Sequence, residues 1–266
     1  MRPIAIMNQK GGVGKTTTAV NVSAALAATG LKVCLIDLDP QAHASLHLGI
    51  LEVEQKEGFD SVYDVLVSPK ELRDVRRRVV DNLWVVPAHI DLAGAEMHLA
   101  GIPGREMILR DKLAADDIVF DYVLIDCPPS LGVLTLNALT AVDEVFIPLQ
   151  PQYLPLQGLS ALLKTIELVT KRLNNRLTLS GVVVCMYDNT QLASDVIREV
   201  DTFFQLGHVK PIWPKVQIFQ TKIRRNIRLA EASSQGLSIF SYDPNSNGAE
   251  DYRRLAEEIL RQGVER

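Results

Sequence analysis

Cysteine is scarce in this chain, and long apolar runs are missing. The three cysteines, Cys34, Cys127 and Cys185, are widely spaced along 266 residues, and each lies in or just after an apolar segment of strand length. Because they lack the paired spacing of metal ligands, they indicate buried, reduced thiols rather than a metal site. No apolar run approaches the ~18–20 residues that a membrane-spanning helix requires, so a membrane protein is not expected.

Positive charge is not in excess either. The formal net charge is −4 at pH 7, so any contact with nucleic acid must come from a local basic patch. A Gly-rich motif begins at Gln9, too early for a cleavable signal peptide, and we therefore expect a cytoplasmic protein. With 47% hydrophobic and 23% charged residues and no Pro-, Gly- or Ser-rich linker, residues 1–266 are expected to form one domain.

Apolar segments of strand length alternate with segments of helical periodicity. The strand-like segments are residues 3–7, 32–38, 82–87, 121–126, 144–149 and 179–187. This alternation predicts βαβ units. The expected fold class is therefore α/β, with a mostly parallel, twisted sheet that is flanked by helices on both faces.

The sequence QKGGVGKTTT at residues 9–18 follows the first strand-like segment and precedes a helical one. Its three glycines allow a tight turn in which successive N–H groups point at an anion, and the helix adds the positive end of its dipole. Lys15 can reach the β- and γ-phosphates of a nucleotide, and Thr16 can ligate Mg²⁺. The motif therefore predicts a P-loop NTPase.

One position departs from the common pattern G-x-x-x-x-G-K-[ST]. Gln9 stands where that pattern has its first glycine, and a second lysine, Lys10, precedes the glycines. The sequence K-G-G-V-G-K-T-T is the signature of ATPases with a deviant Walker A motif.

Carboxylates end or follow two of the strand-like segments. Asp37 and Asp39 are expected to face the ligand crevice of an open parallel sheet, where they could hold a Mg²⁺ shell or orient the attacking water. A simple turn at Asp39 and Pro40 is the alternative. Asp126 ends a segment typical of a Walker B strand, and no Glu follows it, which argues against ABC- and AAA-type ATPases. Two prolines soon after it indicate a switch loop that responds to a γ-phosphate.

Positive charge is concentrated late in the chain. The window 210–228 contains no Asp or Glu, and its basic residues are Lys210, Lys215, Lys222, Arg224, Arg225 and Arg228. It is a candidate footprint for nucleic-acid phosphates. A solvated basic surface, or side chains turned towards the protein's own nucleotide, is the alternative. Trp213 and Phe219 are expected to pack inside the protein rather than to stack on bases.

Two further charged segments are interpreted as ordinary helices. The mixed charges of residues 70–78 indicate a solvated helix face. In residues 249–262 the apolar side chains fall on one face, which predicts a core-facing amphipathic helix and disfavours one that binds a membrane surface. The members of that face are Tyr252, Leu255, Ala256, Ile259 and Leu260.

Four motifs in order give the chain a resemblance to the ParA/Soj family of chromosome- and plasmid-partitioning ATPases, within the MinD/ParA superfamily. They are QKGGVGKTTTAVN, DLDPQA, DYVLIDCPPSLG and RNIRLAEASSQG. Larger members carry an N-terminal DNA-binding extension, and this chain is similar to the small chromosomal type. Arg224 departs from the family pattern, which usually has Pro at that position.

The resemblance implies ATP and Mg²⁺ as cofactors and a role for each motif residue. Lys10 reaches across a nucleotide-sandwich homodimer to the partner's phosphates, Lys15 binds phosphates in cis, and Asp39 positions the hydrolytic water. The implied metal shell is Thr16, Asp37 and Asp126. The implied nucleotide-binding residues are Lys10, Gly11, Gly12, Val13, Gly14, Lys15, Thr16, Thr17, Met186, Arg224 and Asn226.

The resemblance also implies partners. The ATP dimer would bind double-stranded DNA without sequence preference through Lys222, Arg225 and Arg228, and a ParB-like protein would stimulate hydrolysis and release it. A nucleoid-associated protein without membrane contact is therefore expected. A ParA-like ATPase that positions a non-DNA cargo on the nucleoid is an alternative that the sequence leaves open. A MinD-like membrane-positioning ATPase would need a cationic C-terminal helix, and an iron–sulfur carrier ATPase would need cluster-ligand cysteines.

Overall fold

The computed structural model describes residues 1–50, 59–152, 156–206, 209–214 and 216–264. Within these ranges the strands form one eight-stranded sheet in the order β3-β4-β2-β5-β1-β6-β7-β8. The strands are β1 (Arg2–Ile6), β2 (Val33–Asp37), β3 (Arg77–Val80), β4 (Leu83–Val86), β5 (Tyr122–Asp126), β6 (Glu144–Leu149), β7 (Thr178–Tyr187) and β8 (Gln217–Arg224). Every neighbouring pair is parallel except β3 and β4, which confirms the predicted parallel sheet.

Helices follow most of the strands. They are α1 (Lys15–Ala28), α2 (His43–His47), α3 (Val62–Val67), α4 (Leu72–Val75), α5 (Ala95–His98), α6 (Ile108–Ala114), α7 (Val133–Ala141), α8 (Leu156–Arg172), α9 (Gln191–Leu206), α10 (Val209–Ile212), α11 (Ile227–Ser234), α12 (Ile239–Tyr242) and α13 (Asn247–Val264), with 3-10 turns at Ile90–Gly94 and Arg105–Met107. The chain between β4 and β5 is divided into short helical pieces around its glycines.

Both faces of the sheet are covered. One apolar cluster joins alternate sheet residues to α1 and α13, and the other joins the remaining sheet residues to α3, α6, α7, α8 and α9. All five residues of β5 are buried, which is why this strand appears in the sequence as a continuous apolar run rather than an alternating one. The predicted α/β architecture with helices on both faces is confirmed.

The strand order places β1 between β5 and β6, with β2 on the far side of β5. Asp37 at the end of β2 pairs in register with Asp126 at the end of β5, and Ile6 of β1 pairs with the same Asp126. The carboxyl ends of these three strands therefore meet at one edge, where open α/β sheets bind ligands.

Two parts of the sheet were not expected from the sequence. β3 and β8 form its outer strands, and neither has the continuous apolar pattern of the central strands. The interpretation of residues 70–78 as a solvated helix face is wrong in part. Only Leu72–Val75 is helical, and the Arg76 guanidinium is buried, where it donates to Asp116 Oδ1 and Oδ2 at 2.6 and 2.8 Å.

Several packing predictions are confirmed. Cys34, Cys127 and Cys185 are buried free thiols. Trp213 and Phe219 are buried as expected, and four of the five predicted apolar residues of α13 are fully buried, with Leu260 partly so. Among the described helices, none has the length and apolar character that crossing a membrane would require.

Gly181 on β7 marks a close contact inside the sheet. A Cβ atom at this position would lie 2.2 Å from Cε2 of the buried Phe219 ring, which itself packs edge-on against Phe146 at 5.0 Å between centroids. A glycine inside a strand often marks such an approach.

Gly181→Ala is therefore expected to lower the free energy of unfolding by about 1–3 kcal/mol, the usual cost of overpacking. Urea denaturation measures the change. Gly158→Ala on α8 is the matched control, because its added Cβ would meet nothing within 4 Å. Adding Phe219→Leu to Gly181→Ala should recover part of the loss, and a further loss instead would contradict the steric explanation.

Candidate functional site

The glycine-rich loop joins β1 to α1 as the sequence predicts. Gly12 and Gly14 have φ of 71° and 92°, a region that favours glycine, and helix α1 begins directly after them without a side-chain cap. A Cβ on Gly14 would also lie 3.3 Å from Cys185 Cβ. The first N–H groups of α1 are therefore available to an anion.

Two side chains of the first turn of α1 already have contacts. Lys15 is buried, and its Nζ donates to the Lys10 carbonyl at 3.4 Å, a long and weak hydrogen bond. Thr16 Oγ1 donates to Asp126 Oδ2 at 2.7 Å. The start of α1 is thereby linked to the end of β5, and the two predicted motifs form one site.

Asp37 and Asp126 are both fully buried on neighbouring strands. Asp37 Oδ2 accepts from the backbone N–H and the hydroxyl of Ser45 at 2.8 and 2.7 Å, and Asp37 Oδ1 accepts from Asp39 N at 3.1 Å. Asp37 is thus held by the start of α2. Sequence reasoning missed Ser45, because a serine eight residues after an aspartate carries no motif.

Burial raises the pKa of both carboxyls. The pKa of Asp37 rises to about 6 through burial, although the hydrogen bonds from Ser45 oppose the change. The pKa of Asp126 lies well above its ordinary value, first because of burial and then because of the nearby charge of Asp37. Burial and mutual repulsion therefore disfavour two negative charges at these adjacent positions.

The oxygen atoms around Asp126 fit a magnesium ion. Asp126 Oδ1 is buried and has no hydrogen-bond partner in the described part of the chain, and Thr16 Oγ1 lies beside the other carboxylate oxygen. Hard oxygen ligands suit Mg²⁺. Across the described ranges, no three His, Cys, Asp or Glu residues gather at one metal position. The ion would thus take its other ligands from phosphate and water, as Mg²⁺ commonly does.

A cleft of about 1140 Å³ opens over the glycine-rich loop; Thr16 lines it, whereas Asp37 and Asp126 lie buried behind its lining. Its lining includes Gly11, Gly12, Gly14, Lys15, Thr16, Thr17, Asp39, Pro128, Ser130, Met186, Arg224, Asn226 and Tyr252. Its volume lies slightly above the ~300–1,000 Å³ that is typical of ligand pockets. Of the predicted nucleotide-binding residues, Lys10 and Val13 are not part of this lining: Lys10 is exposed and Val13 is buried.

Asp39 and Lys10 differ in how they are held. Asp39 lies in the cleft, and its Oδ1 accepts from Gln41 N at 3.0 Å. The backbone N–H of Lys10 donates to Asn8 Oδ1 at 3.0 Å, while among the described residues its Nζ has no hydrogen-bond or ion-pair partner. The loop that carries Lys10 is therefore anchored, and its ammonium group is available to another molecule.

Strands β7 and β8 contribute Met186 and Arg224 to the cleft, and the sequence did not predict the contacts around them. Met186 has φ of 50°, an uncommon conformation for a side-chain-bearing residue. Arg224 is held by Asp251 of α13, with Nη2 to Oδ1 at 2.7 Å. Tyr252, the next residue of α13, lines the cleft and lies within 3.2 Å of Thr18 Oγ1 of α1. The sequence predicted only core packing for Tyr252, and no motif around it indicated that it also lines the cleft.

The three residues assigned to DNA binding have intramolecular contacts. Arg225 pairs with Asp188 at 3.1 Å, and Arg228 pairs with Glu231 at 2.8 Å. Lys222 Nζ lies 4.5 Å from the centre of the Tyr187 ring. The window 210–228 has no acidic residue in sequence, but the fold brings acidic side chains to its arginines. Lys215 lies outside the described residues.

Comparisons with known proteins agree over nearly the whole chain. A family model described as AAA domain matches residues 1–179. The sporulation initiation inhibitor protein Soj of Bacillus subtilis is 48% identical, with 98% of each chain covered. The chromosome-partitioning ATPase Soj of Treponema pallidum is 44% identical, covering 100% of this chain and 99% of its own.

A solved structure has the same fold. It is described as cobyrinic acid a,c-diamide synthase from Mycobacterium smegmatis with bound ADP and magnesium. Its TM-score is 0.82 at 37% identity, covering 99% of this chain and 96% of that one. The AAA description is broad, and Asp126 is followed by Cys127 rather than the Glu of AAA-type strands, so the narrower family is given by the full-length relatives. The chain belongs to the ParA/Soj family of chromosome-partitioning ATPases.

Proposed function

We propose that this protein hydrolyses ATP with Mg²⁺ as a sandwich homodimer, binds double-stranded DNA without sequence preference in its ATP state, and leaves DNA when a ParB-like partner stimulates hydrolysis. Residues 1–266 act as one domain in the cytoplasm, on the nucleoid. The observation that carries the proposal is the 2.7 Å hydrogen bond between Thr16 and Asp126 beside a carboxylate oxygen that has no partner in the described residues. It supports a magnesium position at the phosphate loop.

The phosphate loop binds the nucleotide through groups that the cation-free fold leaves available. The N–H groups at the start of α1 donate to phosphate oxygens, Thr17 donates to the α-phosphate, and Lys15 exchanges its weak contact with the Lys10 carbonyl for phosphate oxygens. Met186 and Asn226 line the same cleft and would hold the adenine. The Mycobacterium smegmatis structure with ADP and magnesium supports this assignment.

The two buried carboxyls serve the metal. When bound, Mg²⁺ would neutralise the negative charge that develops during phosphoryl transfer. Thr16 and Asp126 would hold the ion, and Asp37, fixed by Ser45, would support its shell. Because both carboxyls have raised pKa values, binding of a cation expels the proton that they otherwise retain.

Catalysis depends on one residue in the cleft and one outside it. Asp39, oriented by Gln41 N at 3.0 Å, positions the attacking water. Lys10 projects from an anchored loop and completes the site of a second copy of the chain, where it stabilises transition-state charge as an arginine finger does. This division explains why hydrolysis requires a dimer.

The DNA surface lies next to the nucleotide. Arg225 and Asn226 line the cleft, and Arg228 follows them at the start of α11. Exposed ion pairs such as Arg228 with Glu231 contribute only ~0–1 kcal/mol, so DNA phosphates can replace the acidic partners. A membrane-binding role has less support, because the apolar face of α13 is buried against the protein.

Asp126→Asn is expected to abolish the stabilisation that magnesium gives at constant ADP. In the cation-free protein both pKa values lie above those of the unfolded chain, so the folded state binds more protons and loses stability as the pH rises from about 4 to above 6. The variant should show a smaller loss over this range. Melting temperatures across pH, with and without magnesium, measure both effects. Asp81→Asn, at an exposed residue, is the control, and a variant that keeps the magnesium effect would remove Asp126 from the metal site.

Lys15→Ala and Lys10→Ala are expected to fail at different steps. Loss of Lys15 should weaken ATP binding by at least about tenfold, the usual effect of losing a charge-assisted hydrogen bond. Loss of Lys10 should leave ATP affinity unchanged and prevent the ATP-dependent dimer. Nucleotide titration and light scattering measure the two steps. Unchanged ATP affinity in Lys15→Ala, or a normal dimer in Lys10→Ala, would contradict the assigned role.

DNA binding should require ATP rather than ADP and should not depend on sequence. Changing Arg225 and Arg228 together to Ala should weaken binding and flatten its salt dependence between ~50 and ~200 mM, since each lost phosphate contact reduces the slope by about 0.9. The control is Arg176→Ala with Arg198→Ala, two exposed arginines that also pair with acids. An equal loss in the control would assign the effect to net charge alone.

A further inference from the structure

Glu96 on α5 provides a charged acceptor at the start of a distant helix. Its Oε1 accepts a hydrogen bond at 3.1 Å from the backbone N–H of Val133, the first residue of α7 and 37 residues further along the chain. Gly132, which precedes α7, offers no side-chain cap. A carboxylate at a helix N-terminus satisfies a free N–H group and interacts favourably with the helix dipole.

The Glu96 carboxylate occupies the space beside Gly132 where a side chain would lie. A Cβ on Gly132 would lie 1.8 Å from Glu96 Oε1 and 3.0 Å from its Cδ. Gly132 has φ of −94°, which any residue can adopt, so its backbone conformation does not require glycine. A side chain at position 132 would instead displace the Glu96 carboxylate, which is the flexible end of that side chain.

The contact fixes one end of the loop at residues 127–132. That loop begins directly after Asp126, and its Pro128, Pro129 and Ser130 line the cleft. A second hydrogen bond, from Thr135 Oγ1 to the Ser130 carbonyl at 2.6 Å, ties the same end to α7. The position of α7 therefore sets where Ser130 and the prolines lie in the cleft.

The backbone that carries Glu96 is anchored in the core. The turn Ile90–Gly94 leads directly into α5, its Ala93 lines the cleft, and Leu92 and Ala95 are fully buried. Glu96 is thus carried by a segment that is anchored in the core on one side and reaches the cleft on the other.

We propose that Glu96 is a positioning residue for ATP hydrolysis, which holds α7 so that the loop after Asp126 is placed for the γ-phosphate. It acts through Val133 and touches no nucleotide. The inference rests on the ATPase activity of the family. Because the phosphate loop and the metal ligands do not involve Glu96, its loss lowers kcat and leaves the affinity for ATP unchanged.

The test is a double-mutant cycle measured by steady-state ATP hydrolysis and ATP titration. Glu96→Ala should lower kcat by about 2- to 30-fold, the range that corresponds to loss of a helix cap, with KM unchanged. Glu96→Gln keeps an acceptor oxygen and should restore most of the activity. Gly132→Ala, which displaces the carboxylate, should match Glu96→Ala. Glu257→Ala, at an exposed glutamate of α13, is the control and should behave as the unmodified protein.

The double variant decides the mechanism. With the carboxylate gone, Gly132→Ala meets no obstacle, so Glu96→Ala with Gly132→Ala should hydrolyse ATP as fast as Glu96→Ala alone. Multiplied losses in the double variant, or an unchanged kcat in Glu96→Ala, would overturn the role of Glu96. Absence of hydrolysis in the unmodified protein would instead overturn the proposed function, a separate and distinguishable result.

Discussion

The burial of two carboxyl groups at the ends of adjacent strands is the constraint on which the site depends. Asp37 and Asp126 are fully buried side by side, where two negative charges repel each other strongly. A hydrogen bond from Ser45 stabilises the charged form of Asp37, and a hydrogen bond from Thr16 stabilises the charged form of Asp126. Ser45 Oγ also accepts from Ala88 N at 3.0 Å, which ties this arrangement to the end of β4. The repulsion that remains is expressed in the pKa of each carboxyl, which is raised above its ordinary value.

A second consequence of the parallel sheet is that the residues proposed to bind nucleotide and those proposed to bind DNA lie at one edge. The loops after β1, β2, β5 and β8 and the end of strand β7 all contribute to the cleft, and the chain after β8 carries Arg225 and Arg228. Each of these two arginines is neutralised by an acidic residue from elsewhere in the fold. In the proposed function, DNA phosphates would therefore compete with the protein's own carboxylates, and small rearrangements around the nucleotide would change the outcome of that competition.

The sequence predicted the features that are local in the chain. These features are the phosphate loop, the strand-ending Asp37 and Asp126, and the core face of α13. Each depends on residues that are close in sequence. The structure brings the phosphate loop, Asp37 and Asp126 together at one edge of the sheet. The missed features depend on distant residues. Arg76 reads as a solvated charge, yet the fold buries it against Asp116, 40 residues away. The outer strands β3 and β8 lack the apolar run of the central strands, because several of their side chains are exposed to solvent.

The position of β1 has a consequence for how the chain folds as it is synthesised. This strand emerges first, yet its hydrogen-bonded neighbours are β5 and β6, which end at Asp126 and Leu149. Domains form as units, and pairings between distant segments are slow. The phosphate loop at the carboxyl end of β1 therefore acquires its walls only when more than half of the chain has left the ribosome. A nascent chain shorter than that exposes the loop without the site.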